Sequence, residues 1–68
     1  MRKQKLDNFV YRTIKNAGRP LTLPEIKFMC GLALEDCDPF EILSRLIAEG
    51  KIKSKKMNGR LYFFVEEN

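Results

Sequence analysis

The sequence predicts an α+β domain in which three helices are followed by a C-terminal β-hairpin. Three observations support this prediction. Apolar residues recur at helical spacing over residues 6–17. Two later segments, 22–25 and 38–41, each combine a capping residue, a proline and a glutamate, as helix starts often do. Near the C-terminus, Asn58-Gly59 separates two segments with strand-like patterns, which is a strong signal for a tight hairpin turn.

The first helix is predicted over residues 6–17. Asp7 lies near its start and Lys15 near its end, an arrangement that complements the helix dipole. Gly18 is a typical C-terminal stop, and Pro20 prevents the helix from continuing. Side chains three and four residues apart share one face of a helix. The predicted inner stripe is therefore Leu6, Phe9, Val10, Ile14 and Ala17.

The second helix is predicted from Thr22 to about Cys30. Thr22 can accept a hydrogen bond from the first turn, and Glu25 stands three residues later, as a capping box requires. Pro24 is tolerated in the first turn, and Gly31 ends the helix. Its expected inner face consists of Leu23, Ile26 and either Met29 or Cys30.

The third helix is predicted from about Pro39 to Glu49, with Asp38 as its cap and Gly50 as its stop. The same spacing rule divides its residues between two faces. The inner stripe is expected to contain Phe40, Leu43, Leu46 and Ile47, with Ile42 beside it. The opposite face contains Glu41, Ser44, Arg45 and Ala48.

The hairpin is predicted over residues 51–65. A two-residue turn pairs Met57 with Arg60, which fixes the register, and side chains then alternate between two faces. The more apolar face is expected to meet the helices and holds Ile52, Ser54, Lys56, Leu61, Phe63 and Val65. The outward face holds Lys53, Lys55, Arg60, Tyr62 and Phe64.

Composition restricts the class of function. The chain has 68 residues, of which 44% are hydrophobic and 32% charged. It is therefore interpreted as one globular domain over residues 6–65, with a flexible basic arm at 1–5 and a short acidic tail at 66–68. The sequence contains no histidine, the most frequent general base and a common zinc ligand. We expect a binding module, not an enzyme, with no cofactor and no metal.

Cys30 and Cys37 are the only cysteines. A zinc site needs about four ligands, and these two thiols without histidine supply only two. They are interpreted as packing residues in a reducing compartment, with a reactive thiol at Cys37 as the alternative. No segment has the apolar length of a membrane span or the pattern of a signal peptide, so a cytoplasmic protein without membrane contact is expected.

The order of these elements resembles the winged helix-turn-helix superfamily. The resemblance covers about residues 6–65. Pro20-Leu-Thr22 resembles the short strand before helix two, and residues 23–27 resemble the opening of that helix. Residues 42–52 resemble the end of helix three and its passage into the wing, and residues 59–63 resemble the returning wing strand. The resemblance implies that the strand near 20–22 joins the hairpin in a small antiparallel sheet.

The family's fold implies that helix three enters the DNA major groove and that the wing contacts the backbone or the minor groove. Counting basic against acidic side chains gives six and one in residues 1–19, two and six in 20–49, and five and two in 50–68. The net charges are thus +5, −4 and +3. The first and last segments can neutralise phosphates. The expected function is duplex DNA binding by a small transcriptional regulator of prokaryotic or phage type.

The candidate residues are assigned to duplex DNA or, alternatively, to a protein partner. Ser44 and Arg45 are expected to contact bases. Phosphate contacts are assigned to Lys27, Lys53, Lys55, Lys56, Asn58 and Arg60. Acidic residues at the start of helix three are unfavourable beside phosphates. The alternative is therefore a protein-interaction adaptor that docks its partner through Asp36, Asp38 and Glu41, or through Tyr62 and Phe64.

Three further alternatives remain open. The basic and aromatic wing could bind single strands or RNA, and its lysines could serve only to protect a sheet edge. A monomer is favoured, because no helix is left over for a dimer seam, and a homodimer through the sheet edge remains the alternative.

Overall fold

A computed structural model describes residues 3–66 of the chain, and side chains from residue 5 onward. The fold is α+β, as predicted. In chain order its elements are α1 (Lys3–Ala17), β1 (Leu21–Thr22), α2 (Leu23–Cys30), a short 3₁₀ helix (Gly31–Leu34), α3 (Pro39–Ala48), β2 (Lys53–Met57) and β3 (Arg60–Phe64).

The observed helix bounds lie close to the predicted ones, with two differences. α1 begins at Lys3, so it includes part of the predicted arm, and lysine and glutamine are good helix formers. The second difference is the 3₁₀ helix, which follows α2 in the segment between the second and third predicted helices. Residues 1 and 2 of the predicted arm, and residues 67 and 68 of the predicted acidic tail, lie outside the described residues.

The three strands form an antiparallel sheet in the order β1-β3-β2. The short strand expected near 20–22 is confirmed, because Leu21 pairs with Phe63. The predicted hairpin register is also confirmed, with Lys55 opposite Tyr62. Asn58 and Gly59 have φ angles of 53° and 78°. Positive φ at both central residues is what a type I′ turn requires, and Asn-Gly is the pair best suited to it.

The helix starts follow their predicted cap chemistry. The Thr22 backbone N–H donates to Glu25 Oε1 at 2.8 Å, and the Glu25 N–H donates to Thr22 Oγ1 at 3.4 Å. This reciprocal pair is the capping box of α2. The backbone hydrogen bond from Thr22 lowers the pKa of Glu25, with a smaller contribution from Arg19. At α3, Asp38 Oδ1 accepts from the Phe40 N–H at 3.0 Å.

One core lies between the three helices and the inner face of the sheet. Its most deeply buried side chains come from every helix and from the sheet region, so burial joins all the elements. These residues are Val10, Ile14, Leu21, Ile26, Ile42, Leu43, Leu46, Ile52 and Phe63.

The predicted inner faces of the helices need correction at several positions. In α3, Phe40 is 50% and Ile47 38% exposed, whereas Ile42 is buried. The buried stripe is Ile42, Leu43 and Leu46, rotated relative to the prediction. Apolar residues flank this stripe on both sides, so spacing alone could not decide which flank faces the core. Phe9 in α1 was likewise expected inside and is exposed. In α2, of the two alternatives Met29 and Cys30, Cys30 takes the inner position.

The apolar face of the hairpin is buried only at its base. Ile52 and Phe63 are buried, whereas Leu61 is 41% exposed and Lys56 and Ser54 are exposed. The alternation was predicted correctly. The extent of burial was not, because the hairpin extends beyond the helices that cover its base.

Candidate nucleic-acid interface

The distal part of the hairpin presents a basic surface. All five residues of β2 are exposed, and Lys53, Lys55 and Lys56 lie within it. Arg60, at the start of β3, is also exposed. Strand alternation places Lys56 on the face opposite to Lys55 and Arg60, so the hairpin carries positive charge on both faces. We call Lys55, Lys56, Asn58 and Arg60 the hairpin basic surface.

The cations of the hairpin differ in their local partners. Lys53 Nζ lies 2.7 Å from Glu66 Oε1, so much of its charge is compensated locally. Lys55 Nζ lies 5.0 Å from the centroid of the Phe64 ring, a cation–π contact that leaves the ammonium facing solvent. Lys56 and Arg60 form no ion pair with any side chain in residues 5–66.

The aromatic residues of the outward face are only partly available. Tyr62 and Phe64 are both of intermediate exposure, and Phe64 lies beneath the Lys55 ammonium. Tyr62 lies on the central strand and also pairs with Thr22 of β1, on the side away from β2. The two rings are therefore part of the sheet surface, with limited free area for stacking on bases.

Arg45 is held by an ion pair that sequence reasoning missed. Its Nη2 lies 2.8 Å from Asp7 Oδ1, and its Nε donates to Asp7 Oδ2 at 3.0 Å. Asp7 is 6% exposed, so this bidentate contact joins α1 to α3 at the edge of the core. Hydrogen bonding to Asp7 raises the pKa of Arg45, and Glu41, 3.8 Å from Nη1, acts in the same direction. The guanidinium of Arg45 is thus already paired with carboxylates of the protein itself.

The remaining exposed face of α3 is poor in hydrogen-bond donors for bases. Ser44 is exposed, as predicted, but its neighbours on that face are Phe40 and Ile47. Asp38 is used in capping, and Glu41 has 64% of its side chain exposed. Asp36 is exposed in the turn before the helix. This face combines apolar and acidic groups.

Lys27 lies on α2 and not on the hairpin. It is exposed on α2 and lines a shallow groove together with Leu32 and Glu35. The structure therefore does not group it with the hairpin basic surface.

A second basic cluster surrounds Tyr11, and it was not predicted. The ammonium groups of Lys15 and Lys51 lie 5.9 and 6.0 Å from the centroid of the Tyr11 ring. The spacing of Tyr11 and Lys15, four residues apart on one helix, could have indicated half of this arrangement. The contribution of Lys51 depends on the tertiary fold.

The described residues hold no metal-ligand cluster and no membrane-spanning helix. No three His, Cys, Asp or Glu side chains among them are close enough to hold a metal ion. No helix formed by these residues is both long and apolar enough to cross a bilayer. Cys30 is buried, Cys37 is exposed, and both are free thiols.

Comparison with known proteins gives no relative: no family model, curated protein or solved structure matches the chain.

Proposed function

We propose that this chain is a winged-helix protein that binds duplex DNA through its β2–β3 hairpin, which acts as the wing, and that it serves as a transcriptional regulator. The observation that carries the proposal is the fully exposed β2 strand with its lysines. A solvent-exposed ribbon of this kind can follow a groove or a phosphate backbone, and Lys and Arg side chains supply the sequence-independent part of DNA affinity.

The hairpin basic surface supplies the main contacts in this proposal. Lys55, Lys56 and Arg60 neutralise phosphates, and the tight Asn58-Gly59 turn brings the hairpin tip close to the backbone. Lys53 contributes less, because Glu66 already lies 2.7 Å from its ammonium. Lys27 is not assigned to DNA, because it lies beside Glu35 in the groove.

Helix α3 has a smaller role than the family resemblance implies. Ser44 is the exposed uncharged polar side chain between Phe40 and Ile47, and its hydroxyl can contact a base edge. Arg45 acts as a positioning residue, since Asp7 holds its guanidinium and so fixes α3 against α1. Without a free arginine or amide side chain on this face, discrimination between base pairs is expected to be weak.

Fluorescence anisotropy of a labelled random duplex of about 20 base pairs tests the proposal, at a series of salt concentrations. Each phosphate contact contributes about 0.9 to the slope of log K against log salt. The double variant Lys55→Glu/Lys56→Glu is expected to lower affinity at least tenfold and to reduce the slope by about two. An unlabelled single strand of the same length, added as competitor, should displace the duplex poorly.

A matched pair of single variants separates local contact from overall charge. Lys56→Glu and Lys27→Glu change the net charge by the same amount, but only Lys56 belongs to the hairpin basic surface. Equal losses in the two variants would refute the hairpin assignment. Absence of duplex binding at low salt would refute the proposed function itself, and stronger binding of the single strand would replace it with single-strand binding.

A further inference from the structure

A groove is lined by the end of α2, the 3₁₀ helix and the start of α3. Its lining residues include Lys27, Leu32, Leu34, Glu35, Cys37 and Pro39. We call this the α2–α3 groove. It shares no residue with the hairpin basic surface, so the two surfaces can be tested independently.

Large apolar side chains stand beside and within this groove. Leu32, in its lining, is 83% exposed, and Phe28, one helical turn earlier in the sequence, is 87% exposed. Single exposed apolar residues are common on protein surfaces. Here Leu32 lines a concave surface. Phe28 and Phe40, the latter 50% exposed, each follow a residue of that lining in the sequence. Aromatic and large aliphatic side chains at such positions are typical of protein-binding anchors.

The charges around the groove determine which kind of partner fits. Glu35 lines the groove, and the exposed Asp36 and Asp38 lie next to it in the segment before α3. Neither Glu35 nor Asp36 forms an ion pair within residues 5–66. Lys27 is the basic residue of the lining, and Arg45 lies with Asp36 and Asp38 in the adjoining cavity. A phosphate backbone would be repelled by these acids. A symmetric contact between two copies of this groove would also be unfavourable, because it would bring two such acidic clusters together.

We propose that the α2–α3 groove binds a basic segment of a protein partner that inserts at least one large apolar side chain next to Phe28 and Leu32. Lysine or arginine residues flanking that side chain pair with Glu35 and Asp36. The apolar contact supplies most of the affinity, and the acidic rim selects basic over acidic segments. A protein with a basic hairpin and an acidic-rimmed apolar groove would thereby connect DNA to a second protein.

A designed peptide tests this surface on the intact protein. The probe is an amphipathic peptide of about 14 residues, with leucines along one face and lysines elsewhere; as a helix it spans about 21 Å. Two control peptides carry glutamate in place of lysine, or serine in place of leucine. Binding is followed by NMR chemical shifts of the labelled protein and by anisotropy of the labelled peptide. Shifts are expected over residues 27–41 with the first peptide only.

Variants at exposed positions locate the contact without affecting the core. Leu32→Ser and Phe28→Ser should each weaken peptide binding at least about tenfold. Leu61→Ser changes a half-exposed leucine on the hairpin and should leave peptide affinity unchanged. Glu35→Lys should weaken the lysine peptide and improve binding of the glutamate peptide. Duplex binding should be unaffected by Leu32→Ser, so failure of this proposal and failure of the DNA proposal are distinguishable.

Several outcomes would overturn the proposal. Equal binding of the lysine and glutamate peptides would show that the acidic rim has no role. Shifts confined to the hairpin, or unchanged affinity in Leu32→Ser, would place the contact elsewhere. No binding of the lysine peptide at millimolar concentration would show that the groove is not a docking site for basic segments. Sedimentation equilibrium tests whether a second copy of the chain occupies the groove. A dimer that Leu32→Ser dissociates would identify that second copy as the occupant.

Discussion

Strands β2 and β3 have equal length and pair along their whole extent, yet they differ sharply in burial. Every residue of β2 is exposed, whereas β3 contains Phe63, 1% exposed in the centre of the core. β3 also lies between two neighbours, while β2 pairs on one side only. Of the two strands of one hairpin, β3 attaches the sheet to the helices and β2 is free to carry charge.

This difference separates stability from function within a few residues. Substitutions at the buried end of β3 should act mainly on the free energy of unfolding, and substitutions in β2 mainly on binding. Arg60, at the exposed start of β3, behaves like β2 in this respect. A small domain has few residues to spare for its core, so such a division lets the chain present lysines without loss of packing.

The largest effect is expected from Phe63→Ala. Removal of a fully buried phenylalanine costs about 3–5 kcal/mol, comparable with the whole free energy of unfolding of about 3–10 kcal/mol expected for a domain of this size. Urea unfolding followed by circular dichroism measures it. Phe28→Ala is the matched control: its side chain is 87% exposed, so its change should stay within about 0.5 kcal/mol. Similar losses in both variants would contradict the anchoring role of β3.

A smaller effect is expected at the turn that joins the two strands. Gly59 has φ +78° with open space around the position of a Cβ, so Gly59→Ala suffers backbone strain without a clash. The left-handed conformation costs a non-glycine residue about 1–2 kcal/mol. Thermal unfolding should show this loss. Asn58→Gly should change stability little, because glycine also tolerates the positive φ at that position. A neutral Gly59→Ala would mean that the hairpin adopts another turn.

The capping box next to β1 gives a pH-dependent contribution. The hydrogen bond from Thr22 lowers the pKa of Glu25 below its ordinary value of 4.5. A depressed carboxyl pKa contributes stability at higher pH, and this stability is lost as the pH falls from 4.5 through the lowered value. Thermal midpoints between neutral and acidic pH should therefore fall less in Glu25→Gln than in the parent protein. Parallel curves for the two proteins would contradict this assignment.

The smallest change in stability is expected in β2 itself. Lys56→Ala removes an exposed side chain without an ion pair among the described residues, so the free energy of unfolding should change by no more than about 0.5 kcal/mol. Duplex affinity should nevertheless decrease, because a phosphate contact is lost. The two measurements on one sample therefore separate stability from binding. A stability loss as large as that of Phe63→Ala would show that β2, too, anchors the fold.

Much of the fold could be predicted from local chemistry. Thr22 with Glu25 and Asp38 with Pro39 each mark the start of a helix, and Asn58 with Gly59 marks a turn. In each case the interacting residues are close together in the sequence. Such contacts are visible in the sequence. The positions of Phe40 and Ile47 could not be predicted in the same way, because the choice between two apolar flanks of α3 depends on where α1 and the sheet lie.

The candidate site was predicted less completely for the same reason. The alternation of lysines in β2 followed from strand geometry, and their exposure was expected on one face. The engagement of Arg45 depends on Asp7, 38 residues away in the sequence, and no spacing rule connects them. The exposure of Phe40 was missed because helical spacing assigned that residue to the core. Phe28 and Leu32 lay outside the predicted inner faces and were given no role.

The two cysteines have unequal surroundings, and this has a practical consequence. Burial raises the pKa of the Cys30 thiol, whereas Cys37 is exposed at the lining of the α2–α3 groove. Because the thiolate is the reactive form, alkylating reagents should modify Cys37 selectively in the folded protein. A small trifluoromethyl tag attached there would supply a single spectroscopic reporter beside Leu32. The native chain can thus be labelled at one chosen surface without first removing a cysteine.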